Sequence, residues 1–475
     1  MNVQDIESTG FGMLVAGMLC TGESRIAVEN PARGEICVMA PAATLAQLEE
    51  AIAAAADAAG WREDEDLRRA TLRAMAEAIE VHGDDLARLL SLEIGLPLNV
   101  TRDEVAAARG FLLYRAQAPL PRDVLYDDAR QSVAVERRPI GVVGAIIPWN
   151  APVLIACEKI ATAFAAGNAV VVKPSPLAPL TLLRLGEIWA ATVPAGVLSI
   201  VPGDAAFGAA LVAHPKVGMI SFTGSIRAGQ AIMAAAAPGL KRLSLELGGN
   251  DAAIVLPDID VAKMAPRLFM GAFYRTGQIC AAIKRLYVHR EVALELTEAL
   301  KALAEASVLG DPFDPATTMG PLSNRQQFDI VSSLVAASTA QGGVAICGGS
   351  ALDRSGYFYR PTLVTGVEED NPLVQEEQFG PALPIIPVSS AEEAIDRANA
   401  ARFGLGGSVW TADIERGVQI AAKLQCGSAW INRHGIVQPD VPFGGMKLSG
   451  VGRANGDVGL DSYAELQTVS FAKPR

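Results

Sequence analysis

The chain is short of basic charge, of paired cysteines and of unbroken apolar runs. Against 52 acidic residues it carries 40 basic ones, a formal net charge of -12. That balance argues against a nonspecific nucleic-acid or anionic-membrane surface and leaves small molecules as the expected partners. The six cysteines, Cys20, Cys37, Cys157, Cys280, Cys347 and Cys426, are scattered, with no Cys-x-x-Cys pair and no histidine at ligand spacing. A reducing, cytoplasmic setting and no metal are therefore expected. The strongest apolar stretch, Ile140 to Ile155, is interrupted by Pro148, Asn150 and Pro152, well short of the roughly 20 residues a spanning helix needs. The opening Met1–Glu7 lacks the basic segment and apolar core of a signal peptide. No membrane partner is expected, and the positive mean hydropathy of +0.27 is assigned to alanine-rich helices and buried parallel strands.

No internal repeat, low-complexity tract or long linker divides the 475 residues, so two or three tightly packed domains are expected. Residues 44 to 118 read as helices: an alanine-rich run from Thr44 to Ala59, a charged one from Asp66 to Val81, and others breaking at Gly83, Gly95 and Pro119. Alternation in Ser132–Arg138 marks a half-exposed strand, suited to an edge or a subunit contact. From Gly141 short apolar segments alternate with helices: Val142 to Ile147, Ala169 to Val172, Leu198 to Val201, Met219 to Phe222 and Leu243 to Leu247. This is the pattern of a doubly wound parallel sheet. A second alternating region follows Ala252–Val255, with a helix leading to Cys280 and a strand at Arg285 to Val288.

The chemistry concentrates in Leu243-Ser244-Leu245-Glu246-Leu247-Gly248-Gly249-Asn250 and Phe273-Tyr274-Arg275-Thr276-Gly277-Gln278-Ile279-Cys280. Cysteine becomes a strong nucleophile once deprotonated, and a carboxylate able to take its proton, or water's, suits covalent catalysis on a carbonyl. Read alone, Cys280 reads equally as a small buried hydrophobe, Glu246 as a surface or paired carboxylate and Asn150 as a turn residue. No Gly-x-Gly-x-x-Gly follows the strand starting at Val142. Gly224 and Ser225 offer a substitute, lying between a strand and a helix whose free N–H groups face a phosphate.

With Pro148-Trp149-Asn150, Lys173-Pro174-Ser175, Phe222-Thr223-Gly224-Ser225, Glu377-Gln378-Phe379-Gly380-Pro381 and Pro442-Phe443-Gly444-Gly445 in order, the chain resembles the aldehyde dehydrogenase superfamily over nearly its whole length. The resemblance implies an α/β fold: a Rossmann-like cofactor domain (1–117 and 140–248), an α/β catalytic domain (249–448) and a small β oligomerisation module (118–139 and 449–475). It implies oxidation of an aldehyde to a carboxylic acid through a thiohemiacetal and thioester on Cys280, with Asn150 holding the oxyanion and Glu246 activating water. Ile147, Trp149, Lys173, Ser175, Gly224, Ser225, Glu377 and Phe379 would hold NAD. Ala151, Ile155, Glu158, Tyr274, Ile279, Val437 and Phe443 would line the substrate tunnel, with Arg433 and His434 either at its mouth or on a solvated rim. A homodimer or homotetramer is implied.

Two positions depart from the family. Pro176 stands where NAD-preferring relatives commonly place a glutamate on the ribose hydroxyls, so NADP is expected to be accepted as well. Ala454 replaces a glutamate that often follows Gly-Arg, so no relay passes through that position. Neutral, hydrophobic or aromatic aldehydes are the expected substrates. Transfer of the acyl group to coenzyme A is the alternative reaction, disfavoured by Glu246, and a catalytically silent scaffold is the alternative of another class.

Overall fold

The computed structural model describes residues 10–117 and 120–474. The break expected at Pro119 and the reading of Met1–Glu7 fall outside them. Among the described residues four strands precede the first helix: β1 (Met13–Val15), β2 (Met18–Cys20), β3 (Ser24–Asn30) and β4 (Glu35–Ala42). The helix Leu45–Ala56 then starts on a capping box in which Thr44 and Gln47 bond each other's backbone. Helix Glu65–Ile94 runs for 30 residues and passes Gly83 unbroken, which corrects the expected break there. A glycine costs about 1 kcal/mol inside a helix. Burial of Met75, Ile79, Leu86 and Leu90 against the core outweighs it. The expected stop at Gly95 is present, in a left-handed conformation at φ 77°.

After helix Leu98–Gln117 come β5 (Asp123–Asp127) and β6 (Gln131–Pro139), then β7 (Val142–Ile146), β8 (Ala169–Lys173), β9 (Leu198–Ile200), β10 (Met219–Gly224) and β11 (Arg242–Leu247). The last five are parallel and form the centre of an eight-stranded sheet. The second sheet uses β12 (Asp251–Val255), β13 (Ile283–His289), β14 (Val344–Cys347), β15 (Thr362–Thr365), β16 (Ala382–Val388), β17 (Gly406–Trp410) and β18 (Ser428–Ile431). Its order is β14-β15-β16-β13-β12-β17-β18, parallel except at β14. Finally β19 (Gly450–Val451) returns to the edge of the first sheet, and β20 (Ala464–Ala472) pairs with β6 in a three-stranded sheet β20-β6-β5.

The first sheet runs β19-β11-β10-β7-β8-β9-β1-β2. Successive strands step one way from β7 to β9 and the other way from β10 to β11, so the winding reverses between β7 and β10. In an open parallel sheet the crevice for a ligand lies beyond the carboxyl ends at such a reversal. Trp149–Asn150 follow β7 and Gly224–Ser225 follow β10, one pair on each side of it.

A buried carboxylate holds the helical layer in place. Helix Leu180–Trp189 has Pro179 at its cap position and no side-chain cap of its own. Instead Glu93, in the last turn of the long helix, accepts the N–H groups of Leu180 (2.7 Å) and Thr181 (2.9 Å) and the Thr181 hydroxyl. Burial pushes the Glu93 carboxyl from 4.5 up to about 7 despite these bonds. The native state therefore binds a proton that the unfolded chain releases. The stability this proton contributes is complete below the ordinary carboxylate range and is lost as pH rises through 7. Chemical denaturation of Glu93→Gln should show a flatter decline between about pH 5 and 8 than the unsubstituted protein; an unchanged slope would remove Glu93 as its source. Glu93→Ala, which leaves two buried N–H groups unpaired, should cost about 2–5 kcal/mol.

Candidate active site

Asn150 sits in the turn from β7 into helix Pro152–Ala165, which starts with Pro152 and has no side-chain cap of its own. Its first free N–H groups, from Val153 and Leu154, donate to Glu104 Oε1 at 3.0 and 3.2 Å. The other Glu104 oxygen lies 2.6 Å from Arg275 Nη2 in a buried ion pair. The same Arg275 nitrogen donates to the Asn150 carbonyl. One carboxylate from helix Leu98–Gln117 thus fixes the Asn150 turn and, through Arg275, the loop that carries Cys280.

That loop is conformationally constrained. Arg275 and Thr276 adopt left-handed φ values of 55° and 59°, and Gly277 follows at 72°. A Cβ at Gly277 would lie 2.4 Å from the Gly380 carbonyl, so no side chain fits there. Gln278 Oε1 accepts the Ser323 N–H at 2.9 Å, and the Gln278 carbonyl accepts Asn150 Nδ2 at 3.0 Å. An amide nitrogen has two N–H donors, so Asn150 keeps one for a reacting group. Lys284 Nζ donates to the carbonyls of Ile279 (2.8 Å) and Cys280 (2.6 Å) behind the thiol.

Glu246 lies near the carboxyl end of β11, buried, its Oε1 without a hydrogen-bond partner. Cys280 and Glu246 line the same two cavities, close enough for each to shift the other's ionisation. Burial pushes Glu246 up to about 7, opposed by Cys280 and by the Lys159 ammonium. Burial, and then the charge of Glu246, push the Cys280 thiol well above its ordinary value. Cys280 therefore rests as a thiol at neutral pH, beside a carboxyl whose raised value suits it to take that proton.

Cys280, Glu246 and Asn150 line two cavities at once. One, of about 330 Å³, has Ala151, Ile155, Glu158, Tyr274, Ile279, Val437 and Phe443 in its wall. The sequence reading missed Asp103, Phe111, Leu154 and Arg453, which also line it. Asp103 accepts a long 3.4 Å bond from the Tyr274 hydroxyl, and Arg453 Nη1 is held by the Gly445 and Gly452 carbonyls at 2.9 and 2.8 Å. His434 belongs to neither the mouth nor a solvated rim, which corrects the expectation. It is buried behind the catalytic loop, with Nδ1 2.9 Å from Ser408 Oγ and its ring against Trp430, while Arg433 is exposed and outside the cavity wall.

The second cavity, of about 250 Å³, is lined by Trp149, Gly224, Ser225, Glu377 and Phe379. The Trp149 and Phe379 rings meet edge to face at 5.5 Å. Glu377 accepts the Gly249 N–H at 3.0 Å, and a Cβ at Gly248 would lie 2.1 Å from Glu377 Oε2. Ser225 caps helix Ile226–Ala236 through the Ala228 N–H, presenting the positive end of that helix to the cavity. Ile147, Lys173 and Ser175 lie outside this wall, at the carboxyl ends of β7 and β8, where the Ile147 N–H bonds the Lys173 carbonyl at 3.0 Å. The Lys173 ammonium is buried with a single 3.3 Å bond to the Pro174 carbonyl, and burial lowers it to about 8. A buried, poorly satisfied ammonium, an aromatic pair and a helix start along one sheet edge fit a nicotinamide dinucleotide.

Comparison with known proteins gives the chain's family likeness. A sequence model described as the aldehyde dehydrogenase family matches residues 20–469. The chain is 37% identical over 484 residues to phenylacetaldehyde dehydrogenase of Pseudomonas fluorescens, covering 97% of this chain and 95% of that protein. It is 37% identical over 449 residues to betaine aldehyde dehydrogenase of Cereibacter sphaeroides, covering 94% and 93%. The NAD+ complex of an aldehyde dehydrogenase from Bacillus cereus superposes with a TM-score of 0.96 at 33% identity, covering 99% of this chain and 98% of that one.

The Glu104–Arg275 pair should be separable from the chemistry. Removing one member of a buried ion pair typically costs about 3–5 kcal/mol, whereas an apolar replacement of both is often neutral. Glu104→Ala should accordingly be strongly destabilised, and Glu104→Leu with Arg275→Met should regain only part of the loss in chemical denaturation, because the Val153 and Leu154 N–H groups stay unpaired. Turnover should stay low in the double variant, because the Asn150 carbonyl has lost its anchor. Full turnover there would show that the pair does not position Asn150.

Proposed function

The chain belongs to the aldehyde dehydrogenase family, and from that premise we propose how its residues oxidise an aldehyde to a carboxylic acid. The observation that carries the reading is that Cys280, Glu246 and Asn150 stand between the two cavities and line both. An aldehyde entering the larger cavity meets Cys280 as its proton passes to Glu246. The sulfur bonds to the carbonyl carbon, and the free Asn150 N–H, with the Cys280 backbone N–H, holds the developing oxyanion. NAD, with NADP accepted because exposed Pro176 offers no charge against a 2'-phosphate, supplies from the second cavity the acceptor for the hydride whose loss leaves a thioester on Cys280. Glu246 gives the thiol's proton up to solvent and then takes one from a water whose oxygen bonds to the thioester carbon; the carbon–sulfur bond breaks, the acid leaves and Cys280 regains a proton.

The apolar wall supplied by Leu154, Ile155, Ile279, Val437 and Phe443 favours an aldehyde with a hydrophobic or aromatic body. The residue ranges given above for cofactor domain, catalytic domain and oligomerisation module follow from the same family reading, as does a cytoplasmic location. Self-association is proposed through the β20-β6-β5 sheet, which leaves Val124, Leu125, Tyr126, Leu466 and Phe471 more than half exposed. Light scattering should report a dimer or tetramer; a monomer at micromolar concentration would refute this.

Absorbance of the reduced cofactor, followed with NAD and with NADP and without coenzyme A, tests the reaction. Oxidation should proceed with either cofactor and vanish in Cys280→Ala, while Asn150→Ala should lose about 10²- to 10³-fold in rate. A strict need for coenzyme A would move the reaction to acyl transfer. The active form of Glu246 is the carboxylate, so the rate should rise with pH to a plateau above about 7, and Glu246→Gln should lose that limb. A limb that survives in Glu246→Gln would place the base elsewhere.

A further inference from the structure

We propose that Glu158 selects the substrate, receiving a hydrogen-bond donor, either hydroxyl or ammonium, carried at the far end of an otherwise apolar aldehyde. This rests on the larger cavity being the aldehyde tunnel. Ala151, Leu154, Ile155 and Glu158 line that tunnel, the spacing that puts one face of helix Pro152–Ala165 along it. Glu158 lies two turns beyond Ala151, about 10 Å along the helix axis. A substrate body laid against this face from Cys280 brings its distal end toward the carboxylate.

The carboxylate has acceptor capacity to spare. Glu158 is only 9% exposed, and its Oε1 has no hydrogen-bond partner. The closest cation to the side chain, Lys159 Nζ, is 3.8 Å from Oε2, beyond hydrogen-bond distance. That same ammonium also acts on Glu246, and Arg115 is a second cation that feels the Glu158 charge. The other polar groups near Glu158 direct hydrogen bonds elsewhere. Arg115 Nη2 donates to the Gly456 carbonyl at 2.8 Å, and the Tyr463 hydroxyl donates to Ser221 Oγ at 2.7 Å. Arg275 is paired with Glu104, and Arg453 with two backbone carbonyls. A buried carboxylate oxygen left without a donor is costly, and a substrate donor that reaches it gains a charge-assisted bond. The same negative charge works against aldehydes that end in a carboxylate.

Matched para-substituted benzaldehydes separate the possibilities. Hydroxymethyl against ethyl reports a neutral donor, and protonated dimethylaminomethyl against isobutyl reports a charged one. Trimethylammoniomethyl carries the charge without a donor. The unsubstituted enzyme should favour each donor over its apolar counterpart by about 10-fold or more in kcat/KM, and the dimethyl over the trimethyl cation. In Glu158→Leu both donor ratios should collapse toward one, whatever happens to the overall rate, while Glu158→Gln should keep part of the hydroxymethyl ratio because its amide oxygen still accepts. Ratios unchanged in Glu158→Leu, or a trimethyl cation favoured as strongly as the dimethyl one, would overturn the proposal. Calorimetric dissociation constants for the same series on Cys280→Ser give the ranking without turnover. A ranking by donor there, with no oxidation of any aldehyde by the unsubstituted protein, would uphold the Glu158 site and reject the proposed reaction; no ranking would reject the Glu158 site.

Discussion

The electrostatic coupling between the Cys280 thiol and the Glu246 carboxyl is the interaction around which the site is organised. Glu246 comes from the first parallel sheet, and Cys280 from the loop before a strand of the second, so the pair spans the junction of the two. Burial disfavours the charged form of each group; Glu246 raises the thiol's cost of ionising further, whereas Cys280 eases that of the carboxyl. The result is a nucleophile kept protonated, and so protected, until a proton can move the short distance to its partner. Lys284 behind the thiol and Lys159 beside the carboxyl supply the nearby positive charge that keeps ionisation within reach.

Holding that pair requires precision from elements far away in sequence, and the fold uses one device twice. Two helices of the first domain begin without side-chain caps, and each is capped by a buried carboxylate from a neighbouring helix: Leu180–Trp189 by Glu93, Pro152–Ala165 by Glu104. A carboxylate at a helix start satisfies free N–H groups and meets the positive end of the helix dipole. At Glu104 the device reaches further. Its second oxygen holds Arg275, whose left-handed backbone begins the turn that delivers Cys280. The residue that starts the substrate-lining helix is thereby locked to the residue that starts the nucleophile loop.

Much of this was legible in the sequence, and what was not has physical reasons. The five parallel strands from Val142 to Leu247 are mostly apolar because both faces are largely covered, and each falls within a residue or two of its reading. Gly83 misled because propensity is a local quantity and core burial overrode it. β1 and β2, of three residues each, are too short for alternation to mark. The seven residues read as a tunnel wall line one cavity with Asn150 and Cys280, but Asp103, Phe111 and Glu104 reach it from a helix with no motif of its own. Only packing brings them there. His434 was misplaced because proximity in sequence to Val437 says nothing about which side of β18 its ring enters, and Trp430 and Ser408 take it inward.

The most direct test of the proton-sharing pair needs no substrate. The rate of Cys280 alkylation by iodoacetamide, followed by peptide mass spectrometry across a pH series, reads the thiol's ionisation. Because the charge of Glu246 raises it, Glu246→Gln should move the alkylation midpoint to lower pH and speed the reaction at neutral pH. A midpoint that stays where it was, or moves upward, would contradict the coupling on which this account of the site rests.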